Sequence, residues 1–156
     1  MTQLTTGWGD PEREKGEHGC GWLHVPPRKH LTVAVLSTAP CRYRGHWIDG
    51  GMRPCTGDQC VYCDRRMGGQ WRYAFHVQDT EGGGCGFFEV GAATAEVIWR
   101  IASAQGELRG LCFRFEHEGG REKGRVTATQ VVSSVPDGML AEEQDPGPHI
   151  RRGWTK

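Results

Sequence analysis

Apolar and polar residues alternate along several short segments of the chain, and this spacing predicts β-strands. The first segment is LTVAVLSTAP, which Pro40 ends, and CRYRGHWI follows it directly. The clearest segment is QWRYAFHVQD, where every second residue from Trp71 to Val77 is aromatic or aliphatic. We therefore expect this strand to present one strongly apolar face.

Two turns rich in glycine or charge predict hairpins. DTEGGG joins the clearest strand to CGFFEV, in which Phe87 and Phe88 fall on opposite faces. EGGREKG joins LRGLCFRFEHEG to RVTATQVVS, and Leu111, Phe113 and Phe115 share one face of the former. The second pair of segments is predicted to be the closing hairpin of the fold.

Helical spacing occurs in one segment, roughly residues 92 to 104, and Gly106 follows it as a stop signal. Its apolar stripe consists of Ala95, Ile98, Ile101 and Ala102. We thus predict a mainly β protein with three strands, one helix and two more strands, the layout of an OB-fold. That fold is a small Greek-key β-barrel that binds oligonucleotides or oligosaccharides. CGFFEV is then the end of a bent third strand or an extra one, and an SH3-like barrel or an irregular α+β sandwich are the alternatives.

The barrel domain is predicted over residues 22–133, between flexible tails at 1–21 and 134–156. Both tails are polar, contain glycine and proline, and lack hydrophobic periodicity. No apolar run approaches about eighteen residues, and no signal-peptide pattern begins the sequence. We expect a cytoplasmic protein without membrane contact, and the odd count of seven cysteines favours a reducing compartment.

One imidazole and three thiols are concentrated in the segment HWIDGGMRPCTGDQCVYC, which runs from His46 to Cys63. Tetrahedral zinc takes four nitrogen or sulfur ligands, and a Cys-x2-Cys pair can bind one ion from a single tight turn. Cys60 and Cys63 form that pair, and His46 and Cys55 supply the other two ligands. Because all four positions are filled, we predict one structural Zn²⁺ held by the loop 46–63.

The same thiols permit other interpretations. They can form disulfides, or Cys60 and Cys63 can be a redox pair. A redox pair is expected to open a helix, whereas the dipeptide between these cysteines is predicted to lie in a loop. Cys41 can also replace His46 as the fourth metal ligand. The cysteines outside the site are predicted to be free thiols, with the last of them buried in a strand: Cys20, Cys85 and Cys112.

The formal net charge is zero, but the charges are unevenly distributed. Residues 28–73 contain eight arginines and lysines against three aspartates, an excess of five positive charges. Seven of the eight are arginine, which suits bidentate phosphate contact and stacking on bases. An arginine-rich composition of the whole chain is the simpler explanation. The predicted nucleic-acid-binding residues combine these arginines with neighbouring aromatic rings: Arg42, Tyr43, Arg44, Trp47, Tyr62, Arg65, Arg66, Trp71 and Arg72.

A predicted OB barrel with zinc ligands in the order His, Cys, Cys-x2-Cys resembles the T4-type phage single-stranded DNA-binding proteins. The matching residues are His46, Cys55, Cys60 and Cys63. The match covers the zinc segment and the order of the strands. The resemblance implies an OB-fold with an inserted zinc loop, single-stranded DNA as the ligand, and proteins of replication, recombination or mobile elements as partners.

The sequence therefore predicts a zinc-stabilised protein that binds single-stranded nucleic acid, DNA before RNA, with low sequence specificity. The alternative is a zinc-stabilised adaptor that binds another protein and no nucleic acid. An enzyme is not predicted. A zinc deaminase needs His-x-Glu and Pro-Cys-x2-Cys, but the sequence has no His-x-Glu, and the cysteine after Pro54-Cys55 comes five residues on.

Overall fold

The computed structural model describes residues 21–26, 28–49, 51–82, 84–120, 125–131 and 134–152. The predicted N-terminal tail lies outside this part except for Gly21, and so does Cys20. Within the described part, strand residues outnumber helical ones, which confirms the mainly β prediction. None of the helices described there has the length and apolar character needed to cross a membrane.

Eight strands and three helices make up the described chain. The strands are β1 (Gly21–Trp22), β2 (His30–Val35), β3 (Cys41–Ile48), β4 (Gly51–Pro54), β5 (Gly69–Asp79), β6 (Cys85–Gly91), β7 (Cys112–His117) and β8 (Val126–Val131). The helices are α1 (Val61–Asp64), α2 (Ala92–Gln105) and α3 (Gly147–Arg152), with short 3-10 turns at Glu118–Gly120 and Asp137–Met139.

All eight strands belong to one sheet in the order β1-β6-β5-β2-β7-β8, and β3 pairs with both β5 and β4. β1 runs parallel to β6, and the other pairs are antiparallel. Among the described strands β8 pairs only with β7, so the sheet stays open and does not close into the predicted barrel. CGFFEV is a full strand of its own, β6, rather than the end of a bent neighbour.

The long strand β5 connects the two halves of the sheet. Residues 69–74 of this strand pair with β3, and residues 77–79 pair with β2 along the same edge. Its other edge pairs with β6. β2 and β3 therefore follow one another along the same edge of β5. Near its middle, β5 is buried on both faces.

The first core lies on the face of the sheet that carries Phe75, Val77 and Phe88. α2 covers this face with Ala95 and Ile98, as the apolar stripe predicts. The helix ends at Gly106, whose φ of 88° is left-handed and favours glycine. The remaining buried members include Leu31, Val33, Val35, Leu111, Phe113 and Phe115, so the shared face predicted for the last three is confirmed.

A second core lies on the opposite face of the sheet. Ala74 and His76 of β5 are buried there, so β5 packs against a core on both of its faces and not only on the apolar face that the sequence predicts. Phe87 is central to this core: its ring lies 5.6 Å from that of Trp22 and 4.5 Å from that of His149. The other buried members are Tyr43, Met52 and Ile150.

The C-terminal segment 134–152 covers this second face, in contrast to the flexible tail predicted over 134–156. Ile150 and His149 are buried against the sheet. Arg109 donates to the carboxylate of Asp137 at 2.7 Å and to the carbonyl of Ala141 at 2.9 Å. The composition of the segment did not predict this packing, because the segment contains few apolar residues and is held in place partly by side-chain hydrogen bonds. Residues 153–156 lie outside the described part.

Protonation of His76 is expected to weaken the fold at mildly acidic pH. The backbone N–H of Gln144 donates to Nδ1 of His76 at 3.0 Å, so this contact needs an unprotonated Nδ1. Burial lowers the pKa of His76 from 6.5 to about 4. The contribution is therefore fully present above pH 6.5 and is lost as pH falls towards 4, by at most about 3 kcal/mol.

Urea unfolding at pH 7 and pH 4.5 measures this contribution. His76→Gln keeps a side-chain acceptor but does not titrate in this range, so its free energy of unfolding should vary less between the two values. An equal variation in the variant and the natural protein would assign the pH dependence to other groups.

Candidate metal centre and adjoining surface

Three elements bring the predicted metal ligands together. β3 and β4 form a hairpin in which His46 pairs with Arg53. Cys55 follows β4 directly, and its N–H donates to the carbonyl of Arg44 at 2.7 Å. Cys60 precedes α1 and Cys63 lies within it, so the Cys-x2-Cys pair sits on a helical turn rather than on the predicted loop.

The ligand atoms of His46, Cys55, Cys60 and Cys63 all lie within 4.8 Å of one another, so one ion can contact all four. Nε2 of His46 is 3.5 Å from the sulfur of Cys60 and 3.5 Å from that of Cys63. The sulfurs of Cys55 and Cys63 are 3.6 Å apart. A disulfide needs about 2.05 Å, so these two sulfurs are not joined by a disulfide. The structure thus confirms that the predicted residues form a candidate metal site.

His46 is oriented for metal binding by its other ring nitrogen. Nδ1 lies 2.9 Å from the carbonyl oxygen of Met67, and because a carbonyl can only accept, Nδ1 is the donor. Nε2 then carries a lone pair that points towards the sulfurs. The residue is completely buried, and the Tyr62 ring lies 5.7 Å away. The imidazole is therefore fixed in one tautomer before any ion arrives.

The thiols of Cys60 and Cys63 differ in acidity. Burial acts to raise the pKa of Cys60, but hydrogen bonds from the backbone of Thr56, Cys63 and Tyr62 outweigh it and lower the value to about 6. The hydrogen bond to Cys55 raises the pKa of Cys63 to about 11. Cys60 is thus more acidic, and Cys63 less acidic, than an ordinary cysteine.

Cys41 does not belong to this cluster. It lies five positions before His46 on β3, so the two side chains point to opposite faces of the sheet. Cys41 packs against the second core instead. The structure therefore selects His46 over Cys41 as the fourth member. Among the described cysteines, Cys85 and Cys112 are free thiols, and Cys112 is buried as predicted.

An exposed arginine and tryptophan surface adjoins the cluster on the same face of the sheet. In the antiparallel register, Arg44 lies opposite Trp71 and Arg42 lies opposite Tyr73. The guanidinium carbon of Arg42 is 3.7 Å from the centroid of the Trp71 ring, a stacked cation–π contact. Arg42, Arg44 and Trp71 are all exposed. We call these three residues the Arg–Trp surface.

Gly69 places Arg44 next to the metal cluster. It lies opposite His46 in the register, and a Cβ there would collide with the guanidinium of Arg44. The arginine side chain therefore crosses the strand at the one position that has no side chain. This brings a positive charge beside a cluster that becomes anionic when its thiols ionise.

The structure separates three other predicted nucleic-acid-binding residues from this surface. Tyr43 is only 6% exposed, and its hydroxyl donates to the buried carboxylate of Glu89. Arg72 donates from Nε to the same carboxylate. Trp47 is 58% exposed but lies opposite Met52, a member of the second core, and hence on the other face of the sheet. Tyr43 and Arg72 are therefore committed to contacts inside the protein.

The remaining predicted residues lie around α1. Arg65 and Arg66 follow this helix and are exposed, while Tyr62 is half-buried beside His46. Sequence reasoning missed two residues. Arg53 shares the face of His46 but stood in a segment predicted as loop, and Trp99 is 66% exposed on α2, outside the basic segment. The sequence signal for Trp99 was its position directly after Ile98, which places it beside the apolar stripe of the helix.

A groove of about 670 Å³ opens beside the Arg–Trp surface, between α2 and the sheet. Tyr73 and Phe75 of β5 form its floor, and Ile98 and Trp99 of α2 form one wall. The connection from β2 to β3 forms the opposite wall, at residues 38–40. Tyr73 is a member of the groove and the register partner of Arg42, so the groove and the surface are contiguous.

No protein-family model, curated protein or solved structure matches this chain.

Proposed function

We propose that this protein binds single-stranded nucleic acid, DNA in the first instance, with little sequence preference, and that one structural zinc ion holds its binding surface together. The observation that carries the proposal is the Arg–Trp surface: two exposed arginines and an exposed tryptophan in register on one face, next to the metal cluster. The open sheet departs from an OB barrel, so the proposal depends on this surface and not on that fold. The resemblance to the phage proteins stays a prediction.

The spacing of the ligand atoms supports zinc as the ion. Zinc bonds of about 2.3 Å to sulfur and about 2.05 Å to nitrogen, arranged tetrahedrally, separate two sulfurs by about 3.8 Å and a sulfur from a nitrogen by about 3.6 Å. The observed separations are 3.6 Å between the sulfurs of Cys55 and Cys63 and 3.5 Å between His46 and the sulfur of Cys60. A site of three thiolates and one imidazole is filled by protein, so the ion is structural.

The charge distribution supports binding through a local surface. A chain with no net charge gains nothing from bulk attraction to phosphate, so affinity has to come from residues such as Arg42 and Arg44. Arginine contacts phosphate with two parallel hydrogen bonds, and an exposed ring such as that of Trp71 stacks on an unpaired base. Bases of a duplex are already stacked on each other, so the ring contributes to single strands only.

Titration with labelled single-stranded and duplex oligonucleotides at several salt concentrations tests the proposal. Contact with about four phosphates gives a slope near −3 for the logarithm of affinity against the logarithm of salt, at about 0.7 for each phosphate. Single strands should bind more tightly than duplex. Arg42→Ala and Arg44→Ala should each make the slope shallower by about 0.7, since each removes one phosphate contact.

Arg114→Ala is the matched control. Arg114 is an exposed arginine on β7 whose neighbours Phe113 and Phe115 face the first core, so its own side chain lies on the opposite face. The slope should not change in this variant. Absence of binding at low salt, or a slope that neither Arg42 nor Arg44 affects, would favour the alternative of a zinc-stabilised protein adaptor.

A further inference from the structure

We propose that the groove between α2 and β5 receives an unstacked nucleobase from a strand whose phosphates contact Arg42 and Arg44. This inference rests on the proposed function and adds the part of the nucleic acid that the groove recognises. The binding site thus extends from the basic segment onto a helix that the sequence did not associate with nucleic acid.

The size and lining of the groove fit a flat aromatic ligand. Its volume of about 670 Å³ lies within the range of roughly 300–1,000 Å³ that is usual for small organic ligands. The residues that line it include the aromatic Tyr73 and Trp99 and the aliphatic Ile98. Trp99 is 66% exposed, which leaves its ring accessible from the groove. Aromatic rings at a strand-binding groove are the usual stacking partners of single-stranded bases.

Charge determines which part of a nucleotide enters. Glu96 and Glu107 both line the groove, and Glu96 is paired with Arg100 at 2.5 Å. These carboxylates would repel a phosphate placed inside the groove, but they would not repel a neutral base. Outside the groove, Arg42 and Arg44 offer positive charge to the phosphate. The two sets of charges therefore orient a nucleotide with its base inwards and its phosphate towards the Arg–Trp surface.

The strand register brings these two contacts within one nucleotide. Arg42 lies directly opposite Tyr73 on neighbouring strands, and side chains in such pairs have Cβ atoms roughly 5 Å apart. Arg42 is at the same time stacked on Trp71. A phosphate held at Arg42 thus leaves its own base, or the adjacent one, next to Tyr73 at the floor of the groove.

The walls and the floor of the groove are held in place before a base enters. Ile98 and Phe75 are buried members of the first core. The backbone N–H of Thr38, on the opposite wall, donates to the carboxylate of Glu143 at 2.8 Å, and its hydroxyl donates to the same oxygen at 3.3 Å. The C-terminal segment therefore holds the β2–β3 connection in place, and little ordering is required when a base enters.

The test compares a single-stranded oligothymidylate with an oligonucleotide of the same length made of abasic nucleotides, each labelled for fluorescence anisotropy. The natural protein should bind the oligothymidylate at least 10-fold more tightly. Trp99→Ala should weaken oligothymidylate binding by about 10-fold without changing the salt slope, because stacking releases no counterions. Its affinity for the abasic strand should equal that of the natural protein. Trp99→Phe should restore most of the loss.

Met139→Ala is the matched control, because Met139 is an equally exposed apolar residue, at 71%, outside the groove. It should bind both strands as the natural protein does. An unchanged affinity of Trp99→Ala for oligothymidylate, or an equal loss on both strands in this variant, would overturn base entry while leaving the proposed function intact. Equal affinity of the natural protein for both strands would contradict base stacking at Trp71 as well. No binding of either strand at low salt would overturn both.

Discussion

Cys60→Ser is expected to abolish metal binding and to unfold the part of the segment 46–63 that follows β4. Against the effect of burial, backbone hydrogen bonds lower the pKa of this thiol to about 6 and its side chain is 1% exposed, so its thiolate forms readily and is shielded from water. Structural zinc sites contribute on the order of 10 kcal/mol to the folding of the segment that binds them. Residues 55–63 have little else to hold them, because α1 spans only four residues and buries none of them.

Metal content by elemental analysis, measured on protein purified without chelators, checks this prediction. The natural protein should contain one zinc per chain and the variant should contain almost none. Cys41→Ala is the matched control and should retain one zinc, whereas His46→Ala should lose it. Full zinc content in Cys60→Ser, or loss of zinc in Cys41→Ala with retention in His46→Ala, would contradict the assigned ligand set.

Arg72→Ala is expected to destabilise the whole fold rather than to alter salt dependence. The guanidinium pairs with Glu89, whose side chain is 2% exposed, and Tyr43 donates to the other oxygen of that carboxylate. Removal of one partner of a buried ion pair costs roughly 3–5 kcal/mol, and we expect about 3 kcal/mol because the arginine itself is one-fifth exposed. Urea unfolding at pH 8 measures it, with Arg114→Ala as the surface control.

The pH dependence of this loss distinguishes a buried charge from simple loss of packing. Burial raises the pKa of Glu89 to about 7. The stability linked to this group is therefore fully present below about pH 4.5 and is lost as pH rises through 7, opposite in sign to the effect of His76. Without Arg72 the carboxylate protonates more readily, so the cost of Arg72→Ala should shrink at pH 5. A cost that is equal at pH 5 and pH 8 would indicate lost packing alone.

The sequence predicted most of the sheet because period-two alternation survives even where both faces of a strand are buried. β3, β6 and α2 lie where the pattern placed them, and Phe87 and Phe88 point into different cores as expected. The metal ligands were predictable for a different reason. Four nitrogen and sulfur atoms within eighteen residues are brought together by local turns, which need little information from the rest of the chain.

The elements that the sequence did not predict depend on distant partners. β4 is four residues long and β1 is two, too short for a periodic signal, and each exists because a neighbouring strand offers hydrogen bonds. The environment of Tyr43 was also unpredictable. Its neighbours Arg42 and Arg44 are exposed, whereas the hydroxyl of Tyr43 donates to the buried Glu89. Glu89 is 46 residues away in the sequence, and the pairing of β5 with β6 brings it close to Tyr43.

The position of β2 determines how this chain has to fold. β2 lies between β5 and β7, and its residue His30 pairs with Glu116, so more than half of the chain separates the two partners. Such pairings close long loops before any contact energy is gained, and domains dominated by them fold in milliseconds to seconds rather than microseconds. The metal ligands, by contrast, all lie within 46–63. We therefore expect the metal-binding segment to fold fast, through local contacts. The pairing of β2 with β5 and β7 at the centre of the sheet is expected to be the slow, non-local folding step.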